Sequence, residues 1–299
     1  HGGPISGAVR VTDDVIATMQ QFADIAPAHN PPYIAAMKAF ATKLPGVPQV
    51  AAFETAFHQT IPMARQVYAI PHEWTESLGI RRYGFHGASH RYIATRVQEL
   101  VPSARRIISC HLGGSSSVCA ILEGKSVGNS LGLTPQTGLP HNNRVGDFDT
   151  FALLKLLKSG YSVDDVLKKL GKESGLLGIS GVSNDMRDIE KAAGEGNPRA
   201  RLAIDAFVES ARHYIGAYLV ALGGCDVLSF TGGIGENGRE IRNAICAGLA
   251  FAGIVLDDKL NGMARGETRI SSAGTAQVWI VPTNEELIVA RQTVAALNA

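Results

Sequence analysis

Three stretches of this chain set glycines beside groups that bind anions. The most visible is Thr231-Gly232-Gly233-Ile234-Gly235-Glu236-Asn237-Gly238, which follows an apolar, strand-like run and leads into a helical one. Glycines let backbone N–H groups come close to a phosphate or a nucleotide, and the start of a helix favours negative charge. Gly233, Gly235 and Gly238 also spell G-x-G-x-x-G, with Asp257 about 20 residues further on, the arrangement of a dinucleotide-binding turn whose acid meets a ribose. A strand–turn–helix without a ligand accounts for the same residues. The second stretch, His111-Leu112-Gly113-Gly114-Ser115-Ser116-Ser117, lies between two strand-like runs instead of before a helix. A hairpin turn of glycines and hydroxyls clasps phosphate through its amides and serines, and that architecture weighs against an NAD-dependent oxidoreductase.

The third stretch, Arg81-Arg82-Tyr83-Gly84-Phe85-His86-Gly87-Ala88-Ser89-His90, packs two arginines, two histidines and two glycines into ten residues. Histidine is often only structural, but the flanking glycines suggest a tight turn facing a ligand. Phe85 then offers an apolar wall and His86 a hydrogen bond to a reacting oxygen. His86 and His90 are four apart, as metal ligands on a helix are, but no third ligand accompanies them. Arg144, in Asn142-Asn143-Arg144-Val145-Gly146-Asp147, is either a clamp for a transferring phosphoryl group or a solvated surface residue. Ser183-Asn184-Asp185-Met186-Arg187-Asp188 opens a helix with polar caps, an apolar Met and an Arg, which suits an adenosine site as well as ordinary capping. In Pro282-Thr283-Asn284-Glu285-Glu286, acids begin the last helix; Glu285 either serves the helix terminus or holds Mg²⁺ through water.

The elements that must carry these groups alternate between strand and helix. Thr12-Asp13-Asp14 starts a helix over 15–22, and Ala28-His29-Asn30-Pro31-Pro32 separates it from a helix over 33–44. Strands are expected at 49–53, 106–110, 117–122 and 226–230, with a last one ending at 280–282. Helices are expected at 89–100, 150–157, 163–170, 200–222, 237–249 and 284–297. Residues 124–149 show little periodicity and read as a long functional loop. The alternation argues an α/β fold. With 299 residues, 45% hydrophobic and 18% charged, a packed core is expected, and a net charge of +1 provides no basic face for nucleic acid or membrane. Four cysteines without a C-x-x-C pair read as buried free thiols in a reducing, cytoplasmic setting, and no apolar run is long enough to span a bilayer.

Together these stretches resemble the acetate kinase/propionate kinase (acetokinase) family. Residues 81–90 are similar to its signature with the G-F-H-G-[TA]-S-H core, and 111–117 to its H-L-G-N-G-A-S phosphate loop. Residues 183–189 match S-N-D-M-R-D-I, 230–237 match F-T-G-G-I-G-E-N, and 282–291 match P-T-N-E-E-L-x-x-A-R. Phe53-Glu54-Thr55-Ala56-Phe57-His58 is similar to F-D-T-A-F-H, and 26–31 to A-P-L-H-N-P. The motifs run in family order from His1 to Arg291.

The resemblance implies the two-domain α/β fold of the sugar kinase/Hsp70/actin superfamily (ribonuclease H-like), with ATP in the cleft. On that pattern 1–53 is the remainder of an incomplete N-terminal domain, 54–283 a C-terminal nucleotide-binding domain, and 284–299 a closing helix packing back on the first. It implies reversible phosphoryl transfer between ATP and acetate or a similar carboxylate, with Mg²⁺ (or Mn²⁺), in a cytoplasmic homodimer. Glu54, His86 and Arg144 would be catalytic; His29, Phe85 and Pro135 would meet the carboxylate. His111, Leu112, Gly113, Gly114 and Ser115 would approach the phosphates of ATP or ADP, with Asp185, Met186, Arg187, Gly233, Ile234, Gly235, Glu236 and Asn237 around the adenosine and Glu285 on the metal. Four departures stand out: Glu54 for the family's Asp, Gly114 for Asn, Pro140-His141-Asn142-Asn143-Arg144 for M-M-G-T-R, and Ala28 for Leu. The longer Glu54 side chain suggests a slow or altered acyl kinase or a weakened, nucleotide-binding paralogue, and Ala28 a wider acyl pocket. The chain opens on His1-Gly2-Gly3, inside a family motif that an arginine and an N-x-G-S-S-S-x-K strand would precede, so the chain by itself is expected to be inactive.

Overall fold

The apolar runs at 107–110 and 118–121 alternate their side chains between two buried clusters, which is what a strand covered on both faces requires. The computed structural model describes residues 1–5, 7–26, 29–272 and 276–299. In chain order, β1 (Ala8–Arg10), α1 (Asp13–Gln21), α2 (Asn30–Lys43) and β2 (Val50–Ala52) form a small first layer. A 3₁₀ turn at Ala56–Thr60 leads through α3 (Met63–Gln66) and α4 (His72–Leu78) to α5 (Gly87–Leu100). Then come β3 (Arg106–His111), β4 (Ser117–Leu122), β5 (Lys125–Asn129), α6 (Ala152–Lys158), α7 (Val163–Lys172), α8 (Gly175–Ser180), α9 (Met186–Gly194) and the long α10 (Pro198–Leu222). The chain closes with β6 (Val227–Thr231), α11 (Gly232–Asn237), α12 (Arg239–Cys246), α13 (Asp258–Met263), β7 (Thr268–Arg269), β8 (Gln277–Ile280) and α14 (Glu285–Asn298).

The main sheet has the order β5-β4-β3-β6-β8-β7. β3, β6 and β8 run parallel at its centre, while β4, β5 and β7 are antiparallel to their neighbours. One face packs on α10, with Ile108, Cys110, Phe207, Ile215 and Phe230 among the fully buried residues. The other face packs on α5 through Ile93, Val97, Ile107, Cys119, Ile121 and Val227. Since side chains alternate along a strand, Ser109, His111 and Ser117 lie on that same α5 side. A third, smaller cluster of Met19, Ile34, Ala51, Phe53 and Ala56 joins α1 and α2 to the β1–β2 pair. α14 lies against β1, β2 and α5.

Capping residues mark the element ends. Thr12 accepts from the Val15 N–H at 3.4 Å, Asn197 accepts from Arg199 and Ala200 ahead of Pro198, and α10 stops at Gly223, which takes the left-handed conformation. The region expected to be an unstructured loop, 124–149, instead contains β5, held to β4 by the hairpin at Glu123-Gly124. The helix expected over 237–249 forms as the shorter α12, which starts after Gly238 (φ −79°, ψ 78°) and ends at Cys246, and the glycine turn before it coils into α11. Asp257 caps α13 by accepting from the Leu260 N–H at 2.8 Å and has no role beside the Gly233–Gly238 turn, which removes the dinucleotide reading. No helix among the described residues is long and apolar enough to cross a membrane.

Phe207 fills the interface between α10 and the sheet with no exposed surface. Phe207→Ala is expected to cost about 3–5 kcal/mol through lost burial and a residual cavity. Urea unfolding checks it: the midpoint should fall with the slope unchanged.

Candidate functional site

The site grows from the α5 N-terminus. His86 stands at the N-cap in a left-handed conformation (φ 57°), and the backbone amides of His86 and Gly87 approach the Glu54 carboxylate closely enough to favour its charged form. Those donors are the unpaired amides of a helix start, suited to a carboxylate. Gly87 permits the approach, because a Cβ there would lie 2.1 Å from the Glu54 carbonyl oxygen. Glu54 Oε2 is buried without a hydrogen-bond partner. Burial, and after it the charge of Glu285, raises the Glu54 carboxyl to about 7. Glu285, the first residue of α14, is itself raised by burial. A buried carboxylate with an unpartnered oxygen, near enough to Glu285 to be raised by its charge, fits a divalent cation, whose charge would relieve it. A cavity of about 20 Å³ adjoins Glu54, Gly87 and Arg91, room for one water.

Five histidines gather behind the α5 terminus. His86 Nδ1 meets Ser117 Oγ at 2.8 Å, His90 bridges Ser117 (2.8 Å) and Ser109 (2.9 Å), and His111 Nδ1 meets Ser89 Oγ at 2.8 Å. The His86 and His111 rings stack with centroids 4.2 Å apart. His58 bonds the Phe85 carbonyl and the Ser126 hydroxyl, both at 2.8 Å, and thereby fixes the turn before His86. His141 accepts from the Ser116 N–H at 3.0 Å and bonds the Thr137 carbonyl, stitching the 111–117 hairpin turn to the 137–144 segment. Burial, the leading cause in each case, lowers all five: His58 and His111 to about 4, His141 to about 3, and His86 and His90 well below the usual value. All five are neutral near pH 7.

Arg144 is no solvated surface residue. It is largely withdrawn from solvent, donates to the Pro135 carbonyl, and its charge helps lower His86, His141 and His29. The backbone around it is fixed: the carbonyls of His141, Asn142 and Asn143 accept from Leu176, Leu177 and Ser174 at the start of α8, and Gly175 (φ 61°) leaves no space for a Cβ, which would lie 2.2 Å from the His141 oxygen. Asp147 closes the segment by accepting from the Gly138 N–H and the Tyr214 hydroxyl. Phe85, buried, makes an edge contact with the His1 ring at 5.6 Å. His29 is exposed on the same side. Ala28 lies outside the described residues.

The two glycine loops meet because His111 pairs with Thr231 where β3 and β6 end side by side. Leu112 N donates to the Thr231 carbonyl at 2.8 Å, and Ile234 and Gly235 donate back to the Leu112 carbonyl. A Cβ placed on Gly113 would lie 3.5 Å from the Ser115 carbonyl oxygen, 3.8 Å from Gly233 N and 3.9 Å from His111 Nε2, so both loops and the His111 ring border one point. The N–H groups of Gly114, Ser115 and Gly233 have no partner among the described residues. That is a cradle of free amides for phosphate oxygens. The side chains of Glu236 and Asn237 turn inward, to the Gly232 N–H and the Gly233 carbonyl, and hold the loop's shape.

Asp185 caps α9, and Arg187 folds back on it in an exposed pair that lowers the Asp185 carboxyl to about 2. Met186 points into the core, 4% exposed. Glu190 on α9 faces Glu240 on α12 closely enough for that charge, after burial, to raise its carboxyl. Sequence reasoning missed His58, His141 and Ser117 as site residues. Each bonds across the sheet or between segments far apart in the chain, and only the F-E-T-A-F-H and P-H-N-N-R stretches hinted at the histidines.

The model of the Acetokinase family matches residues 1–291. The acetate kinase of Dictyoglomus thermophilum is 47% identical over the whole chain, which spans 76% of that relative. The crystal structure of Porphyromonas gingivalis acetate kinase superposes with a TM-score of 0.93 at 42% identity, covering 99% of this chain and 76% of that one. A propionate kinase from Francisella tularensis reaches a TM-score of 0.93 at 38% identity, covering 98% and 76%.

The Glu54 carboxyl makes a pH-dependent contribution to stability. Its folded pKa of about 7 lies above the ordinary 4.5, so its stabilisation is full below pH 4.5 and is lost as pH rises through about 7. The buried neutral histidines act oppositely, adding stability as pH rises towards 6.5. Comparison with Glu54→Gln isolates the carboxyl. Between pH 4.5 and 7.5 the variant should gain on wild type by roughly 2–3 kcal/mol, at about 1.4 kcal/mol per unit, and saturating Mg²⁺ should shrink the gap. Urea midpoints across that range would refute this by showing a constant difference.

Proposed function

The chain belongs to the acetokinase family, and from that premise we propose how its residues divide the work of phosphoryl transfer. It is an acyl kinase: a carboxylate oxygen of acetate or a similar short acid attacks the γ-phosphorus of ATP, the bond to the β,γ-bridging oxygen breaks, and acyl phosphate and ADP result, reversibly. Such a transfer needs positioning and charge neutralisation more than covalent help.

The observation that carries the assignment is the convergence of His111 Nε2, Gly113 and Gly233 N, with His86 stacked on His111. We place the phosphates of ATP there, on the free amides of Gly114, Ser115 and Gly233. The adenosine then extends past Ile234 and Gly235 towards Asp185 and Arg187 on α9, with Met186 supporting from the core. The carboxylate lies on the opposite side of His86, walled by Phe85 and Pro135 and reached by His29. Arg144, anchored on the Pro135 carbonyl, and His86 face the transferring group from that side. Mg²⁺ (or Mn²⁺), held next to Glu285 and Glu54, would neutralise phosphate oxygens; the unpartnered Glu54 Oε2 supports that placement. We read residues 1–53 as part of a first domain, 54–283 as the nucleotide-binding domain, and 284–299 as the helix that returns to the first. We read the enzyme as a cytoplasmic homodimer, a setting that agrees with four buried free cysteines.

Two variants test the placement. A Cβ at Gly233 would meet no protein atom within 4 Å, so Gly233→Val leaves the fold intact and puts its side chain where the nucleotide belongs. ADP affinity by calorimetry should fall about 10-fold or more, the scale of one lost close contact, with the melting temperature unchanged; unchanged affinity moves the nucleotide elsewhere. Arg144→Ala should lower kcat by roughly 10²–10⁴, with KM for ATP little altered, as expected for a group acting on the transition state. The readout is acyl hydroxamate formed from acetate, propionate and butyrate. A pure KM effect would remove Arg144 from the chemistry, and inertness with all three acids would refute the acyl kinase reading.

A further inference from the structure

The wall behind His86 is a continuous chain of hydrogen bonds with a defined direction. Ser109 Oγ meets His90 Nδ1 at 2.9 Å, His90 Nε2 meets Ser117 Oγ at 2.8 Å, and Ser117 Oγ meets His86 Nδ1 at 2.8 Å. Ser109, His90 and Ser117 have no exposed surface. Each hydroxyl carries one proton and each neutral imidazole one N–H, so four protons serve three bonds.

Counting those protons selects one arrangement. If His86 donated through Nδ1, Ser117 would donate to His90, His90 to Ser109, and the Ser109 proton would have no acceptor among the described residues. If Ser117 accepted from both imidazoles, its own proton would be stranded. Leaving a buried donor unpaired is the costly outcome in either case. When Ser109 donates to His90 Nδ1, His90 Nε2–H to Ser117, and Ser117 to His86 Nδ1, every proton inside the chain is used. The remaining one sits on His86 Nε2, the ring nitrogen that the chain leaves free. A parallel chain repeats the arrangement: the Thr283 hydroxyl donates to Ser89 Oγ at 3.0 Å, leaving the Ser89 proton for His111 Nδ1 and the N–H of His111 on Nε2, beside Gly113 and Gly233.

We propose that Ser109, His90 and Ser117 are positioning residues that lock His86 as its Nε2–H tautomer, so that a neutral imidazole donates a hydrogen bond to the transferring phosphoryl group. This rests on the acyl kinase reading of the site. The burial that keeps the rings neutral makes the tautomer decisive, because the wrong one would turn a lone pair towards the phosphate oxygens. The period of the strands supplies the chain: Ser109 on β3 and Ser117 on β4 share the face that α5 covers, and His86 and His90 are one helical turn apart.

Selective ¹⁵N-histidine labelling of the ligand-free protein, with long-range ¹H–¹⁵N correlation, reads the tautomers directly; His86→Gln identifies the His86 signal. His86 and His90 in wild type should both carry their proton on Nε2. Ser117→Ala and Ser109→Ala should move the His86 signal towards a tautomer mixture, and Ser109→Thr, which keeps the hydroxyl, should restore it. In the hydroxamate assay kcat should fall about 10-fold to 10²-fold in the alanine variants, below or at the loss of a full oxyanion donor, with KM for ATP and acetate nearly constant. A wild-type His86 protonated on Nδ1 overturns the proposal. So does a variant that loses kcat while its His86 tautomer stays unchanged, which is the mark of a merely structural role. The spectra need no turnover, so a protein with the expected tautomers that makes no acyl phosphate would refute the acyl kinase reading alone.

Discussion

The pairing of β3 with β6 is the constraint on which the site depends. Because Cys110 stands opposite Phe230 and His111 opposite Thr231, two loops separated by more than a hundred residues leave the sheet at the same level. The Leu112 carbonyl then accepts from both Ile234 and Gly235, so neither loop has its shape without the other. A slip of one residue would turn His111 to the α10 face and move its imidazole out of the site. The apolar alternation of both strands prevents that slip, since it would also turn Ile107 of β3 towards the wrong cluster.

A second consequence concerns polar groups inside a dry interior. The α5 side of the sheet carries Ser109, His111 and Ser117 where apolar residues would pack more simply. Such groups are tolerated when each donor finds an acceptor, and here the N-terminal end of α5 provides the hydrogen-bond partners in one stripe of His86, Ser89 and His90. Burial keeps the imidazoles neutral, and the network holds them in fixed orientation. Glu54 is different: its Oε2 remains unpartnered and its carboxyl is raised, and an unsatisfied buried carboxylate beside Glu285 is the kind of strain that a bound cation or substrate relieves.

Arg144 shows the same interplay on the acyl side. The residues around it differ from the family motif, yet the segment is held by backbone bonds to the α8 start and by His141, which reaches the phosphate hairpin. Asn142 donates its backbone N–H to the Gly114 carbonyl, and a Cβ on Gly114 would lie 3.1 Å from the Asn142 amide nitrogen. The glycine that replaces the family's asparagine therefore faces an asparagine contributed by the other segment.

The sequence by itself determined the α/β alternation, both glycine loops and the family, because glycine, capping residues and apolar period are local signals and the motifs lie in order along the chain. It also pointed to Phe85, His86, Arg144 and Glu285. It left β5 unread, because Lys125-Ser126-Val127-Gly128-Asn129 has one apolar residue and becomes a strand only by pairing with β4. It carried the helix after the second glycine loop to 249, though α12 ends at Cys246, and it read the loop itself as a turn where α11 forms, with Arg242 bonding the Gly235 and Glu236 carbonyls. Only the tertiary structure decided that Arg144 is half-buried and bonded to the Pro135 carbonyl, that Met186 belongs to the core, and that Ser109, Ser117, His58 and His141 join one hydrogen-bonded region around His86. Those roles depend on hydrogen bonds between segments distant in sequence, and a bond of that kind leaves no periodicity in either segment.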